Sequence, residues 1–297
     1  MSLTSLIFIK NCTASDTARD KNLKIPTDIR VFRDIPYDIR GHLLDVSVPN
    51  NIYSSSEEKP IPIIISIHGG GYVYGNKEVY QYYAANLAGN GFVVVNFNYR
   101  LAPKSKFPAP LEDTNNVLKW LVKNADTYKA DLNNVFIVGD SAGAQIASQF
   151  GVIYSNPTYA SLFDFQIPEE IKLRGLGLNC GRYSLKTDDN RPDKNGLMRE
   201  YLGRNVVNGD PRLDILENVT KDYPASFIMS AVHDFLLPAA KPMYELLKPK
   251  KVKAVYKVYG SDEQTYMSHV FHCNLNLKEA SECNREECEF FKRLMVS

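Results

Sequence analysis

Short, unbroken apolar runs recur along the chain from residue 60 onward, and a stretch patterned for a helix separates most of them. Ile63-Ile64-Ile65-Ser66-Ile67, Phe92-Val93-Val94-Val95-Asn96-Phe97 and Val135-Phe136-Ile137-Val138 belong to the series. Residues 173–178, Phe227-Ile228-Met229-Ser230-Ala231 and residues 252–258 complete it. A strand with one wet face alternates apolar and polar side chains. Runs without that alternation predict strands buried on both faces, as in a parallel sheet. Helical patterns fall at 79–87, 112–123, 142–150, 239–247 and 279–294; in 112–123, Val117, Leu118, Leu121 and Val122 share one face. Repeated strand–helix–strand units need right-handed crossovers and put helices on both faces of the sheet. The expected fold class is α/β, a three-layer sandwich around a mostly parallel central sheet. Residues 29–39 and 43–48 alternate around Arg40-Gly41 and predict an antiparallel hairpin at the sheet edge.

Residues 180–222 are rich in Asn, Asp, Arg and Gly and break the rhythm, which predicts an insertion over one end of the sheet. The chain reads as a single domain over 1–297, with a short N-terminal segment 1–28 and the insertion at about 180–222 forming a small cap. A chain of 297 residues buries enough surface to hold a core without disulfides or metal.

Lys and Arg number 35 against 34 Asp and Glu, a net charge of +1. That balance argues against nucleic acid or an anionic membrane as partner, since both require a concentrated basic surface. The basic run Lys248-Pro249-Lys250-Lys251 reads as a solvated loop between a helix and a strand. The cysteines, Cys12, Cys180, Cys273, Cys283 and Cys288, are odd in number and show no tight pairing, which fits a reducing compartment. His272, Cys273, Cys283 and Cys288 are an imaginable zinc set. There is no Cys-x-x-Cys, however, and Cys283 and Cys288 fall on a helical pattern, so no metal and no cofactor are expected. The apolar patch at residues 3–9 lacks the basic start and length of a signal peptide. No stretch approaches the ~20 apolar residues of a membrane span. The expected location is the cytoplasm.

Two motifs carry chemistry. Gly139-Asp140-Ser141-Ala142-Gly143 lies directly after an apolar run and directly before a helical one. In that setting Gly-x-Ser-x-Gly puts the serine on a sharp turn, hydroxyl outward, beside the free N–H groups of a helix N-terminus. Ser141 is the candidate nucleophile. His68-Gly69-Gly70-Gly71-Tyr72 follows the Ile-rich run. Consecutive glycines cost backbone entropy unless the chain must adopt unusual angles or approach a ligand closely. The N–H groups of Gly70, Gly71 and Ala142 are the candidate oxyanion hole. A phosphate cradle would want Lys and Ser/Thr after the glycines, and Tyr72-Val73-Tyr74 stands there instead.

With Asn98-Tyr99-Arg100-Leu101-Ala102-Pro103 and Phe107-Pro108, the two motifs resemble the hormone-sensitive-lipase-type family of α/β-hydrolases from about residue 60 to the C-terminus. The resemblance implies an α/β-hydrolase fold with a cap over the site, and a carboxylesterase acting on short acyl chains. Ahead of the first strand this chain has only a short segment where such proteins spend more chain on the cap. A smaller cap and a more open site follow, suited to a bulky alcohol such as a sugar.

A hydrolase of this kind takes its nucleophile, acid and histidine in the chain order Ser, Asp/Glu, His. Of the histidines at 42, 68, 233, 269 and 272, only the last two fall in the loop after the last strand. His269, in Ser268-His269-Val270-Phe271, is preferred over His272 by its place and by the resemblance. Asp234, at a strand's carboxyl end in His233-Asp234-Phe235-Leu236, is preferred to Asp222 and Asp262 on the same grounds. Tyr72, Cys180 and Tyr183 are candidates to line a substrate pocket. Arg100 and Asp113 read as structural, and Asp140 as a brace beside the site. The expectation is a serine carboxylesterase for a small or short-acyl ester. Feruloyl or acetyl-sugar esters, and amides or formamides, remain open as substrates, and a non-catalytic small-molecule receptor is the alternative outside enzymes. Edge strands leave room for a homodimer.

Overall fold

The fold begins with a helix that the apolar patch at 3–9 did not announce. The structure, a computed structural model, describes residues 1–55, 59–187, 191–194, 196–204 and 206–296. Helix α1 (Leu3–Asp20) is capped by the Ser2 side chain, which accepts from Ser5 N–H. Ser, Thr and Asn are weak helix formers because their side chains compete for the backbone. In α1 that competition is absorbed, since Thr13 and Thr17 donate to carbonyls four residues back. What holds the helix is docking: Ser5 Oγ donates to Glu200 at 2.8 Å, and Asp16 accepts from Tyr74 Oη at 2.8 Å.

Then come β1 (Ile29–Pro36), β2 (Leu43–Pro49), α2 (Asn50–Tyr53), β3 (Ile61–Ile67), α3 (Gln81–Gly89), β4 (Val93–Phe97), α4 (Ala109–Asn124) and β5 (Ala130–Asp140). After these follow α5 (Ala142–Ser155), α6 (Pro157–Ala160), β6 (Leu173–Asn179), α7 (Gly196–Leu202), β7 (Ala225–Ala231), α8 (Leu237–Leu247), β8 (Ala254–Tyr259) and α9 (Lys278–Lys292). The strands form one 8-stranded sheet in the order β1-β2-β4-β3-β5-β6-β7-β8. The hairpin β1–β2 is antiparallel, β2 joins β4 antiparallel, and every pairing from β4 to β8 is parallel.

The unbroken apolar runs are explained by the two faces they serve. Ile63, Ile65, Val93, Val95, Val135, Ile137, Leu176 and Ile228 pack toward one layer, with Leu118 and Leu121 of α4, Ile146 and Phe150 of α5, and Met243 of α8. Their neighbours Ile64, Val94, Phe136, Val138, Phe227 and Met229 pack toward the other, with Ala84 and Leu87 of α3 and Phe290 and Phe291 of α9. Gly177 lets α9 come close to β6: a Cβ there would stand 2.0 Å from Glu287 Oε1. Within the expected insertion at 180–222, residues 188–190, 195 and 205 lie outside the described residues. Its helix α7 packs against α1. Among the described residues, no helix is long and apolar enough to cross a membrane.

Candidate active site

At the carboxyl end of β5 the chain reverses directly into α5, and Ser141 sits on the turn at φ 52°, ψ −114°. Positive φ in a residue with a Cβ costs of order 1–3 kcal/mol and persists only where the surroundings impose it. Here they do. A Cβ on Gly143 would lie 2.1 Å from Ile67 O and 2.7 Å from His68 O, and one on Gly139 would lie 2.3 Å from Gly143 O. The turn is clamped between its own helix and the end of β3, and Ser141 N–H donates to Asn179 O at 3.0 Å. Because the obstructing atoms are main chain, they cannot step aside. Gly143→Ala is expected to destabilise the fold by about 3 kcal/mol, read as the midpoint of urea unfolding; an unmoved midpoint would show that the elbow has slack.

Asp234 follows β7 and is buried; His269 stands in the loop between β8 and α9. Their loops are joined by the pairing of His233 with Ser268 and by His233 N–H donating to Met267 O at 3.0 Å. His269 Nδ1 lies 2.8 Å from Asp234 Oδ1. The same oxygen accepts Leu236 N–H at 2.8 Å, and Oδ2 accepts Ser230 Oγ–H at 2.7 Å. Burial pushes the Asp234 carboxyl up, but the hydrogen bond and charge of His269, with Ser230 and Leu236, outweigh it and hold it at about 2. Val270, next to His269, is itself at φ 54°. Phe235, which the sequence reading passed over, is 70% exposed and lays its ring 4.4 Å from that of His269.

The glycine loop after β3 shows why glycine is required. Gly70 is at φ 103° and Gly71 at φ 58°, and Tyr72 follows at φ 66°. A Cβ on Gly70 would lie 2.2 Å from Tyr74 O. Gly69 N–H donates to Tyr80 Oη at 2.9 Å, and that hydroxyl donates to Asp140 Oδ2 at 2.7 Å. Asp140 thus ties the glycine loop to the elbow, and burial pushes its carboxyl up to about 7. His68 stacks on Tyr99 with centroids 4.0 Å apart, and its Nδ1 faces Gly69 O at 2.8 Å. Burial pushes its imidazole down to about 4, so at pH 7 it is neutral and Nδ1 is the donor. Among the described residues, the N–H groups of Gly70, Gly71 and Ala142 have no hydrogen-bond partner.

The other sequence candidates lie deeper. Tyr72 is buried, stacked on Tyr201 at 3.8 Å, with its hydroxyl donating to Gln145 at 3.2 Å. Tyr183 is buried and donates to Leu178 O at 3.2 Å. Cys180 is buried at φ 48°, with its sulfur within 4.8 Å of ligand atoms of Asp234 and His269. His272 is buried edge-on to Tyr83, and burial holds its imidazole at about 3. Asp222 pairs with Lys221 on the surface, and Asp262 offers its carbonyl to His233. Arg100 pairs with Asp113 at 2.8 Å.

Of the imagined zinc set, His272 and Cys273 cluster with Asp140 within 4.8 Å, whereas Cys283 and Cys288 stand apart on α9. The Arg19 guanidinium acts electrostatically on all three of those residues, a poor setting for a cation.

A mostly parallel sheet with an antiparallel hairpin at one edge, flanked by helices on both faces, with a strained serine at the carboxyl end of β5, has the α/β-hydrolase fold. The chain belongs to the BD-FAE family, which it matches over residues 45–243. It is similar to esterase LipC of Mycobacterium tuberculosis, 25% identical over 191 residues, 61% of this chain and 46% of that protein. It is also similar to the acetyl esterase of Salmonella schwarzengrund, 24% identical over 246 residues, 78% of this chain and 72% of that one. The alignment thus spans about half the length of LipC. Among solved structures, esterase B of Lactobacillus rhamnosis has the same fold, with a TM-score of 0.82 at 20% identity over 98% of this chain and 93% of that one. These findings agree with the resemblance noted in the sequence.

Proposed function

We propose that this protein is a serine carboxylesterase acting on short-acyl esters, with Ser141 as nucleophile, His269 as general base and Asp234 as its orienting acid. The observation that carries the reading is the 2.8 Å hydrogen bond between His269 Nδ1 and a buried, ionised Asp234, at the same carboxyl end of the parallel strands as the strained Ser141. Bonded to a carboxylate, Nδ1 keeps its proton and leaves Nε2 with a lone pair. Ser141 Oγ attacks the ester carbonyl as Nε2 takes its proton. The oxyanion is received by the N–H groups of Gly70, Gly71 and Ala142. The tetrahedral intermediate collapses, the alcohol leaves with the proton from Nε2, and water repeats the cycle on the acyl-enzyme. Asp234 stabilises the imidazolium at both steps.

The short-acyl preference is supported by what lies over the glycine loop. A Cβ on Gly71 would stand 2.3 Å from Leu197 Cδ1 and 3.4 Å from the Phe8 ring. Helices α1 and α7 therefore close the space next to the oxyanion donors, as a small cap would. Free cysteines throughout fit the cytoplasm as the location.

Hydrolysis of a p-nitrophenyl ester series from acetate to decanoate tests the reading, together with labelling by an organophosphate followed by peptide mass mapping. Acetate and butyrate are expected to be cleaved at least about tenfold faster in kcat/KM than decanoate, with the label on Ser141. Inertness toward every ester, or a label elsewhere, would remove the esterase assignment.

A further inference from the structure

The Asp–His pair has a support that neither the motifs nor the family resemblance points to. Ser230 lies one residue from the end of β7, fully buried among apolar strand residues. A hydroxyl there is costly unless it finds a partner. Its partner is Asp234, four residues on: Ser230 Oγ donates to Oδ2 at 2.7 Å. The two carboxylate oxygens then have distinct duties. Oδ1 faces His269 Nδ1 and Leu236 N–H, and Oδ2 is held from the strand side by Ser230. A carboxylate rotates readily about its last bond. Main chain fixes one oxygen of Asp234, and only a second anchor on the other fixes the plane. Cys180, buried with its sulfur within 4.8 Å of this carboxylate and of the His269 ring, packs beside it.

We infer that Ser230 is a positioning residue for the reaction: its hydroxyl locks the plane of the Asp234 carboxylate so that Oδ1 meets His269 Nδ1 throughout the cycle. The inference rests on the esterase reading. Ser230 touches neither substrate nor reacting atoms. It acts through Asp234, and its effect belongs to the transition state, where His269 becomes charged and needs the carboxylate in line.

Kinetics of Ser230→Ala, Ser230→Cys and Ser230→Thr on p-nitrophenyl acetate test the inference, alone and in an Asp234→Ala background. Ser230→Ala is expected to lower kcat about 10- to 100-fold, the worth of a hydrogen bond to a charged group, with KM within about twofold. Ser230→Thr keeps the hydroxyl and recovers most of the loss. Ser230→Cys, close in size with a weak donor, falls between. In the Asp234→Ala background, Ser230→Ala has no further effect on kcat, because residues acting as a unit are not additive. Equal losses in both backgrounds, a change in KM alone, or full activity in Ser230→Ala or Ser230→Cys would overturn the positioning role. If Ser230→Ala does not fold, the Cys and Thr variants decide it on the same terms. A readout independent of turnover separates this inference from the esterase reading: the downfield proton NMR signal of His269 Nδ1–H. In wild type it is expected to be sharp, and in Ser230→Ala to broaden or shift; an identical signal in both overturns the inference. If wild type cleaves no ester, the activity falls and the NMR comparison still tests the lock.

Discussion

Ser141→Ala is expected to lower kcat on p-nitrophenyl acetate by about 10⁶-fold, leaving a residual rate set by the oxyanion donors and substrate binding. The size follows from the covalent step. Without Oγ there is no acyl-enzyme, and His269 and Asp234 have no nucleophile to activate. Alanine should also relax nothing else, because Ser141 spends no side-chain hydrogen bond on capping α5 and its turn is imposed by the neighbours of Gly139 and Gly143. The urea midpoint of the variant should therefore stay close to that of wild type. Loss of burst-phase nitrophenol in stopped-flow measurements would confirm that acylation is the step removed. A variant retaining a tenth of wild-type activity would place the nucleophile elsewhere.

The second large effect is expected from Asp234→Asn, about 10⁴-fold in kcat with the geometry intact. An amide at this position presents either oxygen or N–H₂ to His269. With Ser230 and Leu236 N–H both donating to the side chain, the network no longer selects the tautomer that leaves Nε2 as base. The substitution also changes the pH dependence of stability. The Asp234 carboxyl is held at about 2 against an ordinary 3.8. A depressed carboxyl stabilises the fold fully above its unfolded value, and that stabilisation is lost as pH falls from about 3.8 through about 2. Wild type is therefore expected to lose stability across that interval, and Asp234→Asn to lose less, as read from thermal melts at stepped pH. Parallel melting curves for the two proteins would argue that the carboxylate is not paired as described.

Two of the triad candidates can be read from where a strand ends: Ser141 directly follows β5 and Asp234 closely follows β7, each after an apolar run, whereas His269 stands well beyond the end of β8 and is reached from chain order and the family resemblance. His272 faces inward and is held neutral, whereas His269 keeps its side chain partly open and pairs with Asp234. Tyr72, Cys180 and Tyr183 illustrate the limit of this reading. They follow the right strands, but sequence does not say which way a side chain turns in a loop: Tyr72 and Tyr183 turn into the core, and Cys180 is buried with its sulfur beside Asp234 and His269. Phe235 lies beside Asp234 in the chain and turns outward over His269.

By itself the sequence determined the α/β class, the parallel order implied by unbroken apolar runs, and the two glycine motifs, because burial on both strand faces and positive backbone angles leave direct traces in composition. Only the tertiary structure decided that residues 3–20 form a helix, since its anchors, Glu200 and Tyr74, lie far along the chain. Only the tertiary structure brought Tyr80 between Gly69 and Asp140, and Ser230 under Asp234. A serine on a buried strand and a tyrosine after a glycine loop carry no signal of their own. Their roles come from which polar groups the folded backbone leaves without water, and that depends on contacts between segments no local pattern connects.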